Sequence, residues 1–217
     1  MRGLGFIAAL LLSGTAHAAP ARPLLPPITD QFLLDQLELG EEIEGRADGD
    51  LNGDGDTDTV FVVASPDERH LYVVLSYRSE VDIGHQPGGD FKLAPDALGA
   101  AELSIAKGVL TVKDLTGGTT ALSATYRYRA DKGQPKMRLI GLDATVYSRT
   151  YAHDGDEMSW NLVTGDFVTS LLKVTGDSED RSYDRLYTRK FKRPSKPIFM
   201  EDTPDPELEL VGATKAK

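Results

Sequence analysis

The second half of the chain alternates apolar and polar residues, and this pattern constrains the fold more than any other. Leu122, Ala124, Tyr126 and Tyr128, for example, alternate with serine, threonine and arginine. Similar short segments recur as far as residue 192 and are separated by polar turns. A period of two is typical of strands that bury one face and expose the other. We therefore predict a mainly β, antiparallel meander or sandwich-like domain with about nine strands.

The first half of the chain predicts a short helix, a hairpin and a long loop. Thr29 and Asp30 are suitable caps for a short N-terminal helix that runs to about Leu37. Residues 59–64 and 71–76 are short apolar runs on either side of a turn, which indicates two paired strands. Residues 78–100 are rich in glycine, proline and aspartate, so we expect a long loop there.

An acidic segment, Asp48–Asp58, precedes the hairpin and reads DGDLNGDGDTD. Calcium takes six to eight oxygen ligands and tolerates a flexible loop, in which alternate side chains converge on one centre. Gly55 would supply the sharp bend in such a loop, because glycine adopts positive φ without strain. The spacing predicts Ca²⁺ ligation by side chains and by one backbone carbonyl, that of Asp56. The predicted ligands are Asp50, Asn52, Asp54, Asp56 and Asp58.

The extended segment GDLNGDGDTDTVFVV resembles the calcium loops of FG-GAP repeats and of VCBS-type secreted bacterial proteins. The resemblance covers one loop of the form DxNxDGxxD, and it implies a loop that joins two strands. An EF-hand would instead need a bidentate glutamate where this chain has Phe61. A solvated acidic turn without metal is the simpler alternative for the same residues.

The chain ends and its composition predict an exported protein. Residues 1–18 combine a basic start, a short apolar run and an A-x-A-like end, which is typical of a secretory signal peptide. Residues 19–28 are rich in proline, so we expect an extended leader there. We predict a single β-rich domain over residues 29–200 and a disordered tail over residues 201–217. There is no cysteine, so disulfides cannot stabilise the fold. We expect a periplasmic or secreted protein without a transmembrane segment in the mature chain.

The net charge and the sequence motifs exclude some functions and leave two hypotheses. A formal net charge of −10 argues against nucleic acid as a partner. The main hypothesis is a calcium-binding structural or interaction module that contacts a protein or polysaccharide of the bacterial envelope. The alternative is a hydrolase of envelope polysaccharide or peptidoglycan that uses the loop carboxylates of Asp90, Asp154 and Asp156. The absence of a catalytic sequence motif favours the first hypothesis.

Residues 185–196 form a basic run with interspersed aromatic residues. One interpretation is a patch that binds anionic envelope polymers or lipid headgroups. The other is an edge strand whose lysines and arginines prevent pairing with other chains.

Overall fold

The computed structural model describes residues 22–177 and 179–215. Two helices and twelve strands are found in this part of the chain. The helices are α1 (Asp30–Leu34) and α2 (Pro206–Lys215), and a single 3-10 turn covers Met200–Asp202. The strands are β1 (Glu42–Gly49), β2 (Asp58–Ala64), β3 (Arg69–Arg78), β4 (Ile83–Leu93), β5 (Glu102–Ala106), β6 (Val109–Gly117), β7 (Thr120–Ala130), β8 (Met137–Ser148), β9 (Gly155–Asn161), β10 (Asp166–Thr175), β11 (Ser182–Lys192) and β12 (Ile198–Phe199).

The strands form two antiparallel sheets in which sequential strands are neighbours. The first sheet has the order β1-β2-β3-β4. The second runs from β11 through β10, β9, β8, β7 and β6 to β5, and the short β12 pairs with β8. The predicted class, a mainly β fold of antiparallel strands with a short N-terminal helix, is therefore confirmed.

One hydrophobic core includes residues from both sheets. Its members alternate along each strand, because successive side chains point to opposite faces of a sheet. Val60, Val62 and Leu71 come from the first sheet, and Tyr128 and Phe167 come from the second. All five are essentially inaccessible to solvent. The period-two pattern thus identified the faces that the protein buries.

A buried ion pair also joins the sheets. Arg69 on β3 donates to both carboxylate oxygens of Asp114 on β6, at 3.0 and 3.1 Å. The same guanidinium donates to Glu44 on β1, at 2.6 Å to each oxygen. Only 3% of the Arg69 side chain is exposed, so these bonds satisfy a charge that is removed from water.

The prediction of a long loop over residues 78–100 is wrong. Residues 83–93 form β4, which pairs with β3 along its whole length and carries a bulge opposite Val73 and Val74. Gly88 packs so closely on Leu75 that an added Cβ would lie 2.7 Å from that side chain. Glycine and Pro87 are tolerated because β4 is an edge strand with an irregular register.

The prediction of a disordered tail over residues 201–217 is also wrong for its described part. Asp205 caps α2 by accepting a hydrogen bond from the amide of Leu208 at 2.9 Å. Leu210 is 1% exposed and belongs to the common core, together with Ala213 and Met200. The predicted domain end at residue 200 therefore lies too early, while residues 216–217 lie outside the described chain.

The N-terminal predictions have mixed outcomes. Thr29 caps α1 as predicted, but the helix ends at Leu34 rather than at about Leu37. Residues 22–28 of the predicted leader have no regular secondary structure. The predicted signal peptide and residues 19–21 lie outside the described residues. No helix in the described ranges combines the length and the apolar character that crossing a bilayer requires.

Candidate functional site

The acidic segment forms a tight loop between β1 and β2. Two glycines allow the chain to turn, since Gly53 and Gly55 have φ of 80° and 83°. L-residues with side chains rarely adopt this left-handed region. The bend predicted at Gly55 is confirmed, and the loop joins two paired strands.

Side-chain oxygens in the first half of the loop bind backbone amides of the loop itself. Asp50 accepts hydrogen bonds from Gly53 at 2.6 Å and from Gly55 at 3.0 Å. Asn52 accepts one from the amide of Asp54 at 2.9 Å, and Asp54 accepts one from Asp56 at 2.7 Å. These bonds satisfy amides that no strand can reach, and they keep the polar side chains close to the loop backbone.

Asp58 closes the loop from its buried side. Its side chain is inaccessible to solvent and accepts four hydrogen bonds. The amides of Leu51 and Asn52 donate to one oxygen at 2.6 and 3.2 Å. The amide and hydroxyl of Ser76 donate to the other at 2.7 and 2.8 Å. Burial raises the pKa of Asp58, although these four donors act in the opposite direction.

Ser76 on β3 brings three of the predicted ligands together. Its hydroxyl lies 2.8 Å from Asp58 and 3.3 Å from each carboxylate oxygen of Asp54. The amide group of Asn52 donates to the Ser76 carbonyl at 2.8 Å and to Asp54 at 3.1 Å. Asp54 and Asp58 thus share one hydroxyl, which can donate to only one of them at a time.

The carboxylate of Asp56 is buried and is paired with arginine side chains. Arg78 contacts both of its carboxylate oxygens, one of them at 3.0 Å. Leu25 donates its amide at 2.8 Å, and Arg22 lies 3.2 Å away. The hydrogen bond from Arg78, followed by that from Leu25, holds the pKa of Asp56 well below its usual range. This ion pair fastens the N-terminal segment and the loop to β3.

The donor atoms suit calcium in type, because all are carboxylate, amide or carbonyl oxygens. Only some of the predicted ligands lie close to one another. Asn52, Asp54 and Asp58 lie around Ser76, whereas Asp50 faces the loop amides. In the described ranges, no three histidine, aspartate or glutamate side chains are grouped so that they could hold a metal ion.

Comparison of the chain with protein-family models, with curated proteins and with solved structures found no match. The likeness to FG-GAP and VCBS-type loops consequently stays a prediction based on the loop residues. Calcium ligation by Asp50, Asn52, Asp54, Asp56 and Asp58 also stays a prediction.

The acids of the alternative hydrolase lie on different sheets. Asp90 is on β4 of the first sheet, opposite Tyr72. Asp154 and Asp156 flank the start of β9 in the second sheet. Lys173 lies 2.8 Å from Asp154 and lowers its pKa. Burial, followed by the charge of Asp154, raises the pKa of Asp156. Asp90 therefore does not share a sheet with the other two, and the charge of Asp154 acts on Asp156.

Residues 185–192 of the basic run lie on β11, at the edge of the second sheet, and residues 193–196 follow that strand. Most of this strand is exposed, including Tyr187, which is 79% exposed and has a φ of 50°. Arg185 pairs with Glu157, and Lys192 pairs with Asp166 at 2.7 Å. These neighbours offset part of the positive charge. The location agrees with the interpretation of a protected edge strand.

Ser76 and Arg78 complete the site from a neighbouring strand and are not among the predicted site residues. Both lie at the end of β3, about 20 residues after the loop, where the sequence shows only a polar strand end. Their approach depends on the pairing of β2 with β3. No local signal in the sequence indicates that contact.

Proposed function

We propose that this protein is a calcium-stabilised structural or interaction module that is exported to the bacterial envelope. The calcium ion stabilises the fold and takes no part in catalysis. The site lies in the Asp48–Asp58 loop, next to a strand that belongs to the core. A metal at this position would hold the β1–β2 connection against β3.

The buried carboxylate of Asp58 carries the proposal. All four of its partners are neutral, and the described chain offers it no ion pair. Three of them are backbone amides, which only donate and therefore favour the ionised form. Buried charges in proteins are normally paired with an opposite charge or bound to a metal. The carboxylate of Asp54 on the same Ser76 hydroxyl adds a second negative charge at this point.

Calcium suits these ligands better than other common metals. Asn52, Asp54 and Asp58 would supply side-chain oxygens, with Asp50 as a further carboxylate and Asp56 as the carbonyl donor. Calcium accepts irregular shells of six to eight oxygens, whereas magnesium requires near-ideal octahedral geometry. Zinc prefers nitrogen and sulfur ligands, and the loop contains neither histidine nor cysteine.

Export fits the chemistry of the site. Extracellular modules bind calcium at roughly 10⁻⁴ to 10⁻³ M, concentrations far above those of the cytosol. The chain has no cysteine, so a bound metal would supply stability that disulfides cannot supply here. The signal-peptide pattern of residues 1–18 supports the same compartment.

Calorimetric titration of the purified mature chain with calcium tests the proposal. We expect one site, and we expect Asp54→Asn to weaken binding at least about tenfold because a charged ligand is removed. Asp67→Asn is the matched control, since Asp67 is exposed in the β2–β3 turn and lies outside the loop. The control should bind like the wild type. Absence of binding by the wild type at about 10 mM calcium would refute the proposal.

A further inference from the structure

A cleft of about 550 Å³ lies between the two sheets and the C-terminal segment. Its floor belongs to β6, β7 and β8 and includes Leu122, Tyr126 and Val146. One wall is the end of β4 and the residues that follow, from Phe91 to Asp96. The opposite wall is the segment 201–207 that leads into α2. Such a volume is typical of small-ligand pockets.

The walls of the cleft carry an excess of negative charge. Five carboxylates line it, against one ammonium group, that of Lys92. Lys92 is paired with Glu68, while Asp114 is paired with Arg69 and Glu201 with Lys136. The remaining three acids have no ion pair in the described chain. They are Asp96, Asp205 and Glu207.

A tyrosine hydroxyl without a partner in the described part of the protein points to a ligand in the same cleft. Tyr126 is only 5% exposed, yet its phenol group makes no hydrogen bond to any residue in the described ranges. Its ring packs edge-on against Phe91, with the ring centroids 5.1 Å apart. Burial raises the pKa of Tyr126, and the charges of Asp114 and Asp205 raise it further. Tyr126, Asp114 and Asp205 line the same cleft, so the phenol group can bind a partner that enters it.

We propose that this cleft binds an alkylammonium group, such as that of a lysine side chain or of a free aliphatic amine. The ammonium group has three donors, which suit the Tyr126 oxygen and the carboxylates of Asp205 and Asp96. The aliphatic stem packs on Leu122 and Val146 of the floor and on Phe91 of the adjoining wall. The three unpaired acids repel anions.

This site is separate from the calcium loop, and its occupancy does not depend on the metal. None of the residues of the Asp48–Asp58 loop lines the cleft. A lysine-bearing peptide and a free amine present the same chemistry to the cleft, so both are tested. The peptide and the free amine differ in the atoms that are attached to the far end of the aliphatic stem.

The test is a two-dimensional amide NMR titration of the mature chain with n-pentylamine, with cadaverine and with capped lysine. Neutral n-pentanol is the control probe. We expect at least one amine to bind at about millimolar concentration and to shift amides of β7. The shift should weaken with added salt, because screening reduces the attraction of the carboxylates. Capped lysine binding more tightly than the free amines indicates a peptide partner, and the reverse order indicates a small metabolite. Either order supports the site.

Variants separate recognition from folding. Tyr126→Phe keeps the ring but removes the hydroxyl, and we expect roughly tenfold weaker amine binding with a preserved NMR spectrum. Glu207→Gln, at the exposed rim, should weaken it about threefold. The Tyr147→Phe variant changes a tyrosine that does not line the cleft, and it should bind amines like the wild type.

Equal binding of pentanol and pentylamine, or no shift with any amine, would overturn the proposal. Calcium-free buffer should leave amine binding unchanged, so this result is independent of the calcium proposal.

Discussion

Arg69 on β3 and Asp114 on β6 form a two-bond ion pair that joins the two sheets inside the protein. Glu44 on β1 binds the same guanidinium, so three strands meet at one charge. Asp114 also lines the cleft beside Tyr126. The ion pair therefore joins the two sheets next to the cleft.

Removing the shared cation should destabilise the protein strongly. Arg69→Met leaves the buried carboxylate of Asp114 and the partly buried carboxylate of Glu44 without a positive partner, which costs about 3–5 kcal/mol in the free energy of unfolding. Arg127→Met is the matched control, because the pair between Arg127 and Asp143 is partly exposed and worth about 0–1 kcal/mol. Chemical denaturation measures both values. Equal losses for the two variants would contradict the role of the buried pair.

The C-terminal helix should contribute to stability through one face. Leu210→Ala removes a side chain that is 1% exposed and should cost about 2–5 kcal/mol. Leu208→Ala, two residues earlier, changes a side chain that is 71% exposed and should cost less than about 0.5 kcal/mol. Thermal unfolding compares the two variants. If both behave like the wild type, the helix does not belong to the folded unit.

These two helix positions also illustrate the limits of sequence analysis. The strand faces of the second sheet were predictable, because Leu122, Ala124 and Tyr126 follow a plain alternation. The helix near Leu210 was not predicted because the segment 201–217 is short and polar. The burial of Leu210 depends on a core that is formed mainly by strands far away in the sequence. Its cap at Asp205, followed by Pro206, was the available signal.

In the two sites, too, features set by neighbouring residues were predictable, whereas contacts between distant segments were not. The loop bend at Gly55 follows from local spacing and was predicted. Ser76 and Arg78 enter the site only through strand pairing. The cleft depends on three distant segments, around Phe91, Tyr126 and Asp205, and no part of the sequence indicates that they meet.

Loss of Arg78 should produce a stability change that depends on pH. The folded-state pKa of Asp56 is depressed, chiefly by the hydrogen bond from Arg78. The contribution of Asp56 to stability is therefore present above its ordinary pKa of 3.8 and lost as the pH falls below that value. We expect Arg78→Met to lower the melting temperature at neutral pH and to approach the wild type in acid.

Arg149→Met is the control for that experiment. Arg149 is exposed, and its side chain has no ion pair among the residues that the structure describes. The melting temperature of the Arg149→Met variant should equal that of the wild type at every pH. A constant difference between Arg78→Met and the wild type across the pH range would show that Asp56 is not the group involved.

Calcium stabilisation should also depend on pH, with protons competing for Asp58. Burial raises the folded-state pKa of Asp58, so in calcium-free buffer its contribution to stability is largest below 3.8 and falls as the pH rises through the raised value. Calcium binds the ionised carboxylate and reverses this loss. The increase in melting temperature on calcium addition should be full at neutral pH and should vanish in acid. An increase that grows on acidification would contradict ligation by Asp58.

The melting temperature of the wild-type mature chain at neutral pH, with and without calcium, tests the central claim most directly. Saturation at about 10 mM calcium should add about 1.4–2.7 kcal/mol to the free energy of unfolding, if the affinity is that of extracellular modules. The melting temperature should then rise by about 3–10 °C. Asp67→Asn should show the same rise, and Asp54→Asn a much smaller one. An unchanged melting temperature in calcium and in calcium-free buffer would contradict a calcium-stabilised fold.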